Sequence, residues 1–273
     1  ALWAGDPISY GELLKIPPPK AVAPQYYGVD PLQYGELRLP GGTGPFPVIV
    51  FIHGGCWLAE YDMQHTRPLT QALADAGYAS WSLEYRRVGN DGGGYPGSFA
   101  DIADGIDYLR VLADEYPLDL SAVVAMGHSA GGQLALWSAS RNRIEKSHYL
   151  FRQQPLLPKA VIGLAAAADL QLLAKGRECG DAARRLMGGG VDEKAKDYAL
   201  ASPHFLAPLK LPQVLIDGEE DNTWSPISKS YYESALAVND DVKRIIVSEA
   251  AHFDLVAPQA PVWPVLLQTI SEV

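Results

Sequence analysis

Short runs of apolar residues alternate along the chain with stretches in which apolar residues recur at helical spacing. Residues 47–52 are continuously apolar and rich in β-branched side chains, which is typical of a strand covered on both faces. Residues 99–115 instead place Ile102, Ile106 and Leu109 on one helical face, with acidic residues among the rest. The pattern therefore predicts strands and helices in alternation.

The same two patterns recur to the end of the chain. Further strands are predicted at 33–39 (an edge strand), 78–83, 123–126, 160–166, 214–217 and 242–247. Further helices are predicted at 66–76, at 132–140, after the strand at 214–217 as far as residue 231, and at 262–270. Such alternation implies right-handed crossovers and a mostly parallel central sheet with helices on both faces. This is an α/β fold class.

The domain organisation predicted from the sequence is simple. Residues 1–25 are rich in proline and are expected to form an extended N-terminal arm on the surface. Residues 26–273 show no internal repeat and no linker, so they are predicted to form a single catalytic domain. Residues 170–211 are the longest stretch without a strong strand pattern, and either a small helical cap or a long crossover would account for them.

Composition and charge narrow the function classes. With 273 residues, 48% hydrophobic and 20% charged, the chain has the composition of a globular protein that buries a sizeable core. Its formal charge of −10 argues against a nucleic-acid partner, and more weakly against anionic substrates and membrane surfaces. The longest apolar run, 160–168, is far shorter than the roughly 20 residues of a membrane span.

The cysteines, the metal motifs and the first residue carry weaker indications. Cys56 and Cys179 form no CxxC pair, and two free thiols are expected, with a disulfide as the alternative. The sequence contains no HExxH, P-loop or GxGxxG motif, so neither a metal nor a cofactor is expected. The chain begins at Ala1, which indicates a processed or trimmed form, and it leaves a cytoplasmic and a secreted or periplasmic location open.

One short motif carries the candidate chemistry. Residues 127–131 read Gly-His-Ser-Ala-Gly, follow a predicted strand and open a predicted helix. That context is typical of the nucleophile elbow of α/β-hydrolases, in which the serine Oγ stands clear above the sheet. Ser129 is therefore the predicted nucleophile and His128 a structural residue. A turn without function is the alternative for so short a pattern.

A second glycine-rich stretch suits the stabilisation of an oxyanion. Residues 53–57 read His-Gly-Gly-Cys-Trp and follow the buried strand predicted at 47–52. Acyl transfer passes through a tetrahedral oxyanion that must meet preorganised N–H donors. A loop of this kind supplies one side of the oxyanion hole, and the residue after the serine supplies the other. The predicted donors are Gly55, Cys56 and Ala130; an ordinary strand-ending turn is the alternative.

A serine nucleophile needs a general base, and the base needs a carboxylate that orients it. In α/β-hydrolases the chain order is serine, then Asp or Glu, then histidine. His252 is the predicted base because it follows the last strand, whereas His148 and His204 are expected at the surface or in a cap. Asp221 follows a predicted strand and is the predicted acid, with Asp169 as its main competitor.

Two features beside these motifs have a structural and a functional interpretation. Trp57 and Trp224 are candidates for the wall of a substrate pocket, and core packing is the alternative for each. Residues 84–87 read Glu-Tyr-Arg-Arg, for which we expect a partly buried ion pair that braces the oxyanion loop.

Taken in order, the motifs resemble the esterase and kynurenine-formamidase-like branch of the α/β-hydrolases. The matching stretches are 53–57, 84–86, 127–132, Gly-x-x-Asp at 218–221 and His-Phe-Asp-Leu at 252–255. The chain is also similar to hormone-sensitive-lipase-type esterases and to prolyl-oligopeptidase catalytic domains. The resemblance implies the α/β-hydrolase fold and the triad Ser129, Asp221 and His252. Where lipase-type relatives have a third glycine, this chain has Cys56, whose side chain is expected to narrow the pocket.

These motifs predict a carboxylic-ester hydrolase that works through an acyl-enzyme. Proteins of the resembling group act on short-chain esters, aryl formamides, acetylated or feruloylated sugars and peptides, so the expected substrate is a small ester or amide. An aryl formamidase is the first alternative, and a non-enzymatic binding protein on the same fold is the second. The sequence leaves the acyl and alcohol specificity and the oligomeric state open.

Overall fold

The structure, a computed structural model, describes residues 6–176 and 178–273. The strands are β1 (Pro24–Tyr26), β2 (Tyr34–Arg38), β3 (Phe46–Ile52), β4 (Ala79–Leu83), β5 (Leu118–His128), β6 (Ala160–Leu164), β7 (Gln213–Gly218) and β8 (Val242–Val247). The helices are α1 (Tyr10–Leu13), α2 (Arg67–Asp75), α3 (Gly97–Asp107), α4 (Leu109–Glu115), α5 (Ala130–Ser138), α6 (Leu170–Lys175), α7 (Ala182–Met187), α8 (Ala195–Ala201), α9 (Pro203–Leu206), α10 (Ser225–Ala237) and α11 (Val262–Glu272). Short 3-10 turns lie at Met63–Thr66, Arg141–Arg143 and Phe253–Val256.

The strands form one sheet in the order β1-β2-β4-β3-β5-β6-β7-β8. From β4 to β8 every neighbouring pair is parallel, and β1 and β2 add an antiparallel edge. The mostly parallel sheet predicted from the alternation is therefore confirmed. The strand predicted at 33–39 does not form the edge of the sheet. Pro24–Tyr26 pairs with its outer side and is the edge strand, where a proline is tolerated.

The core lies on both sides of the central strands. Val48, Val50 and Ile52 alternate along β3 with Ile49 and Phe51, and all five are buried. Because successive side chains of a strand point to opposite faces, this pattern requires cover on both faces of the sheet. Helices α2, α5 and α10 supply part of that cover through their contacts with β4, β5 and β8.

Two regions flank the strands that carry the candidate motifs. Between β6 and β7, the stretch 170–211 contains the four short helices α6 to α9. Near the start of the chain, residues 10–13 form a helix within the arm that was expected to be extended. A capping box starts this helix: the Ser9 side chain accepts a hydrogen bond from the Glu12 N–H, and the Glu12 side chain accepts one from the Ser9 N–H. Burial of Leu13 then anchors it.

Cys56 and Cys179 form a disulfide with a Cα–Cα distance of 6.1 Å. This separation lies within the usual range for bridged cysteines. The expectation of two free thiols is therefore wrong. The two residues lie 123 positions apart, so only the folded chain brings them together, and their spacing in the sequence carries no sign of the pairing.

In the described part of the chain, no helix combines the length and the apolar character needed to cross a membrane.

Candidate active site

Ser129 lies in the sharp turn between β5 and α5, with φ 55° and ψ −120°. A non-glycine residue with such a backbone is strained, and strain of this kind concentrates at functional sites. The surrounding chain holds it: the Ser129 N–H donates to the Leu164 carbonyl at 2.8 Å, and the Ser129 carbonyl accepts from Gly132 and Ala167. The strand–turn–helix context predicted for the elbow is present.

The glycines beside Ser129 are required by close packing of the backbone. A Cβ atom at Gly127 would lie 2.1 Å from the Gly131 carbonyl oxygen, and one at Gly131 would lie 2.1 Å from the Ile52 oxygen. Both distances are far below a van der Waals contact, so any larger residue would push strand β5, helix α5 or β3 apart. The glycines therefore allow the helix to start directly beneath the turn.

The predicted base and acid meet in the folded chain. His252 Nδ1 lies 2.6 Å from Asp221 Oδ2, and the other oxygen of Asp221 accepts a hydrogen bond from the Trp224 N–H at 2.9 Å. Asp221 is buried, whereas the His252 side chain keeps 16% of its surface exposed. The carboxylate thus fixes the imidazole with Nδ1 carrying the proton, which leaves Nε2 free to accept one.

Aromatic rings pack against the His252 imidazole. The Trp224 indole stacks on it at a centroid distance of 5.4 Å, and the His128 ring lies 4.4 Å away on centroids. His128 Nε2 lies 3.0 Å from the His252 carbonyl oxygen and donates to it. His128 therefore supports the backbone of the histidine loop, which agrees with its interpretation as a structural residue.

A cavity of about 390 Å³ lies above this end of the sheet and is lined by Ser129, Asp221 and His252 among others. Ser129 Oγ makes no hydrogen bond to another described residue. Hydrogen bonds between a nucleophile and its base are often long in a free enzyme and shorten only when substrate is bound. The structure brings the three predicted residues to one cavity and joins two of them directly.

The oxyanion loop also lines this cavity through Gly55 and Cys56. Gly55, Cys56 and Trp57 have φ angles of 110°, 54° and 56°, a conformation that costs a non-glycine residue roughly 1–3 kcal/mol. A Cβ atom at Gly55 would lie 2.3 Å from the Cβ of Tyr61, so glycine is required there. Neither the Gly55 N–H nor the Cys56 N–H donates to another residue in the described ranges.

Ala130 completes the set of predicted donors. It is the first residue of α5, so its N–H has no acceptor within the helix. It follows Ser129 directly and shares the helix N-terminus, where partial positive charge favours an anion. The three predicted donors are therefore two unbonded N–H groups of one loop and the first N–H of a helix.

A buried ion pair lies under the oxyanion loop, as predicted, although it is fully rather than partly buried. Arg87 and Glu84 form it, and Arg87 also donates to His53 Nε2 at 3.1 Å. His53 Nδ1 donates to the Gly54 carbonyl at 2.7 Å, and the Tyr85 hydroxyl donates to the His53 carbonyl at 3.1 Å. These bonds engage the carbonyls of the loop.

Trp57 lies in the core rather than in the cavity wall, which corrects its prediction as a pocket residue. It is 1% exposed, and its Nε1–H donates to Gln133 Oε1 on α5 at 3.1 Å. The left-handed backbone at Trp57 accompanies this inward position. Trp224, the other predicted pocket residue, does line the cavity.

The rejected alternatives have other partners. Asp169 accepts hydrogen bonds from the Leu172 N–H, as the cap of α6, and from the Ser230 hydroxyl. His204 Nδ1 lies 3.5 Å from Asp169, and His148 Nε2 lies 3.3 Å from the Tyr95 hydroxyl. In the described ranges none of these side chains lines the cavity that holds Ser129.

Several residues of the cavity wall were not predicted from the sequence. Tyr10, from α1, packs against the rings of Tyr61 and His65, each at 5.2 Å, and against Phe253 at 5.9 Å. All four line the cavity. The Ser9–Glu12 capping box could have predicted the helix that carries Tyr10, because the sequence contains the S-x-x-E signature, but its position over the cavity has no local signature.

Within the described residues, no cluster of three or more His, Cys, Asp or Glu is arranged to hold a metal.

Three buried histidines make stability depend on pH. Burial lowers the pKa of His53 and of His65 to about 3 and holds the pKa of His128 well below its usual range. Because each binds its proton in the unfolded chain near pH 6.5 but not in the folded chain, stability is complete above that pH and is lost on acidification. Asp217 opposes this, since burial raises its pKa to about 6.

We therefore expect the free energy of unfolding to fall by roughly 4 kcal/mol between pH 7 and pH 5. Urea unfolding at a series of pH values measures it. Replacing His65 with glutamine should reduce the slope by about one proton. A free energy of unfolding that stays constant over this range would contradict the prediction.

The comparisons with known proteins agree with this architecture. A family model described as BD-FAE matches residues 37–234. Esterase LipC of Mycobacterium tuberculosis is 29% identical over 111 residues, which are 40% of this chain and 27% of that protein. A probable isoprenylcysteine alpha-carbonyl methylesterase of Arabidopsis thaliana is 30% identical over 122 residues, 44% of this chain and 25% of that protein. The chain thus spans about a quarter of the length of these curated relatives.

Among solved structures, an inhibited esterase B from Lactobacillus rhamnosis superposes with a TM-score of 0.78 at 23% identity. The superposition covers 96% of this chain and 89% of that one. At this identity the likeness concerns the fold, and it confirms the predicted α/β-hydrolase fold.

Proposed function

The chain belongs to the BD-FAE family, and we propose that it hydrolyses carboxylic esters through an acyl-enzyme formed on Ser129. The observation that carries this proposal is the 2.6 Å contact between His252 Nδ1 and Asp221 Oδ2 at the cavity that Ser129 lines. A buried carboxylate that orients a histidine beside a serine on a strained turn is the arrangement that serine nucleophiles require.

The proposed reaction begins with attack of Ser129 Oγ on the acyl carbon. His252 takes the hydroxyl proton on Nε2, because Nδ1 keeps its own proton in the hydrogen bond to Asp221. The negative oxygen of the tetrahedral intermediate accepts hydrogen bonds from the N–H groups of Gly55, Cys56 and Ala130. His252 then gives the proton to the departing alcohol. A water molecule attacks the acyl carbon of the acyl-enzyme and gives a proton to His252. His252 returns this proton to Ser129 Oγ as the acid leaves.

The surroundings favour this charge separation. Asp221 is buried, so its negative charge acts on the developing imidazolium with little screening by water. The rings of Trp224, His128 and Phe253 pack against the imidazole. Hydrogen bonds from Arg87 and Tyr85 hold His53 in place at the start of the oxyanion loop.

The size of the cavity supports a small substrate. A volume of about 390 Å³ is at the lower end of the range for small-molecule sites. Several of its walls are aromatic, among them Tyr10, Tyr61 and Phe253. We therefore propose esters whose acyl group is short or compact.

Labelling with a fluorophosphonate probe tests the nucleophile directly. We expect one probe per chain, located on Ser129 by peptide mass spectrometry, and loss of ester hydrolysis in proportion to labelling.

A panel of p-nitrophenyl esters of increasing acyl length should show the highest kcat/KM at the short end. An aryl formamide in the same panel separates an esterase from a formamidase. A protein that reacts with neither probe nor substrates would be a binding protein on this fold.

A further inference from the structure

The disulfide joins the oxyanion loop to the helical segment between β6 and β7. Cys56 lies in the turn after β3, and Cys179 lies in the connection from α6 to α7. The two residues are 123 positions apart, and both line the cavity that contains Ser129. The disulfide is therefore part of the cavity wall and not a surface cross-link far from the site.

The backbone of Cys56 needs such a restraint. With φ 54° it holds a conformation that glycine adopts freely and that other residues leave when nothing holds them. Its neighbours have backbone partners: the Gly55 carbonyl accepts from Leu58 at 2.9 Å, and the Trp57 carbonyl accepts from Val88 at 2.8 Å. The side chain of Cys56 is fixed through its sulfur alone.

We propose that Cys179 is a positioning residue for ester hydrolysis, because its bond to Cys56 holds the Cys56 N–H towards the oxygen that becomes negative. This inference rests on the function proposed above. Cys179 contributes no donor of its own. It acts through the backbone of Cys56, whose carbonyl and N–H would otherwise turn as φ relaxes towards negative values.

Opening the bond should affect the transition state more than the bound substrate. A dithiol reductant gives two electrons and two protons to the disulfide, which becomes two thiols, while the reductant becomes its own disulfide. The remaining cavity wall, including Tyr10, Tyr61 and Trp224, still binds the ester. A donor that acts only on the oxyanion contributes to kcat rather than to KM.

The experiment compares the oxidised protein, the protein reduced by dithiothreitol, and the variants Cys179→Ala, Cys56→Ala and Cys56→Ala/Cys179→Ala. We expect kcat for a short p-nitrophenyl ester to fall about 10- to 100-fold in each, with KM within about twofold. This loss is smaller than the roughly 10²- to 10³-fold loss for removal of an oxyanion donor, because here the donor is displaced and not removed. The double variant should be no slower than either single variant, since all three open the same bond.

Three controls separate positioning from folding. Asp181 is exposed in the same connection and has a left-handed backbone, which asparagine tolerates. The variant Asp181→Asn should therefore keep full activity. Circular dichroism and thermal melting identify a temperature at which every variant is folded, because opening so long a loop lowers the stability of the fold. Reoxidation of the reduced protein with glutathione disulfide should restore kcat, and the reductant should not slow the double variant further.

The outcomes are distinguishable. Two thiols titrated in the unreduced, denatured protein would overturn the inference, as would an unchanged kcat in folded Cys179→Ala. A rise in KM at constant kcat would also overturn it, because the disulfide would then act only as a wall. If the oxidised protein hydrolyses no ester at all, the proposed function fails, and this inference fails with it.

Discussion

Replacing Ser129 with alanine is expected to lower kcat for a short p-nitrophenyl ester by about 10⁵- to 10⁶-fold. The change removes the atom that attacks the acyl carbon and leaves His252 with no hydroxyl to deprotonate. The oxyanion donors and the cavity remain, so a residual rate of about 10³-fold over water is expected rather than none. Single-turnover assays of the purified variant measure it, with an active-site titration to exclude traces of wild-type protein.

The matched control is Ser138→Ala, on the same helix. Ser138 is buried, and its hydroxyl donates to the Ala135 carbonyl at 2.7 Å, so its loss tests the helix without touching the cavity. This variant should keep kcat within about twofold at a modest cost in stability of about 1 kcal/mol. Activity retained in the Ser129 variant would contradict the proposed nucleophile, whatever the control shows.

The parts of the site that were predicted from the sequence are those with a local cause. The turn at Ser129 needs small neighbours, so Gly127 and Gly131 are visible in the sequence, and the structure shows the backbone clashes that require them. The continuous apolar run of β3 likewise follows from burial on both faces of the sheet. Chain order then led to Asp221 and His252, although no local feature distinguishes them from other polar residues after strands.

The remainder depends on contacts between distant parts of the chain. The Cys56–Cys179 pairing spans 123 residues, and Tyr10 reaches the cavity from a segment whose prolines indicated only an extended arm. Trp57 was a candidate for the cavity wall with core packing as the alternative, and in the structure it is buried and donates to Gln133. Periodicity specifies which face of an element is buried, but not which distant residue covers it.

The helix predicted over 99–115 differs from the structure in one detail. Its apolar period is continuous, but the structure has two helices, α3 and α4, with a turn at Tyr108 between them. The Tyr108 ring stacks on the buried Trp81 at 6.3 Å, a tertiary contact that the sequence period does not contain. The interruption is slight, because Tyr108 keeps a helical backbone with φ −63° and ψ −18°, and the Tyr108 and Leu112 N–H groups still donate four residues back along the chain.

Replacing Asp221 with asparagine is expected to lower kcat by about 10⁴-fold while leaving the fold intact. An asparagine amide in place of Oδ2 can donate to His252 Nδ1, which stabilises the tautomer with its proton on Nε2. That nitrogen then cannot accept the proton of Ser129. KM should change little, because Asp221 orients the base and the cavity wall binds the ester.

Asp169→Asn provides the matched comparison, because Asp169 was the competing candidate for the acid. Asparagine caps a helix about as well as aspartate, so α6 should lose little stability. If Asp221 orients the base, Asp169→Asn keeps kcat within a few fold and only Asp221→Asn falls. The reverse result would transfer the role to Asp169. It would require His252 to leave its 2.6 Å contact with Asp221 during catalysis.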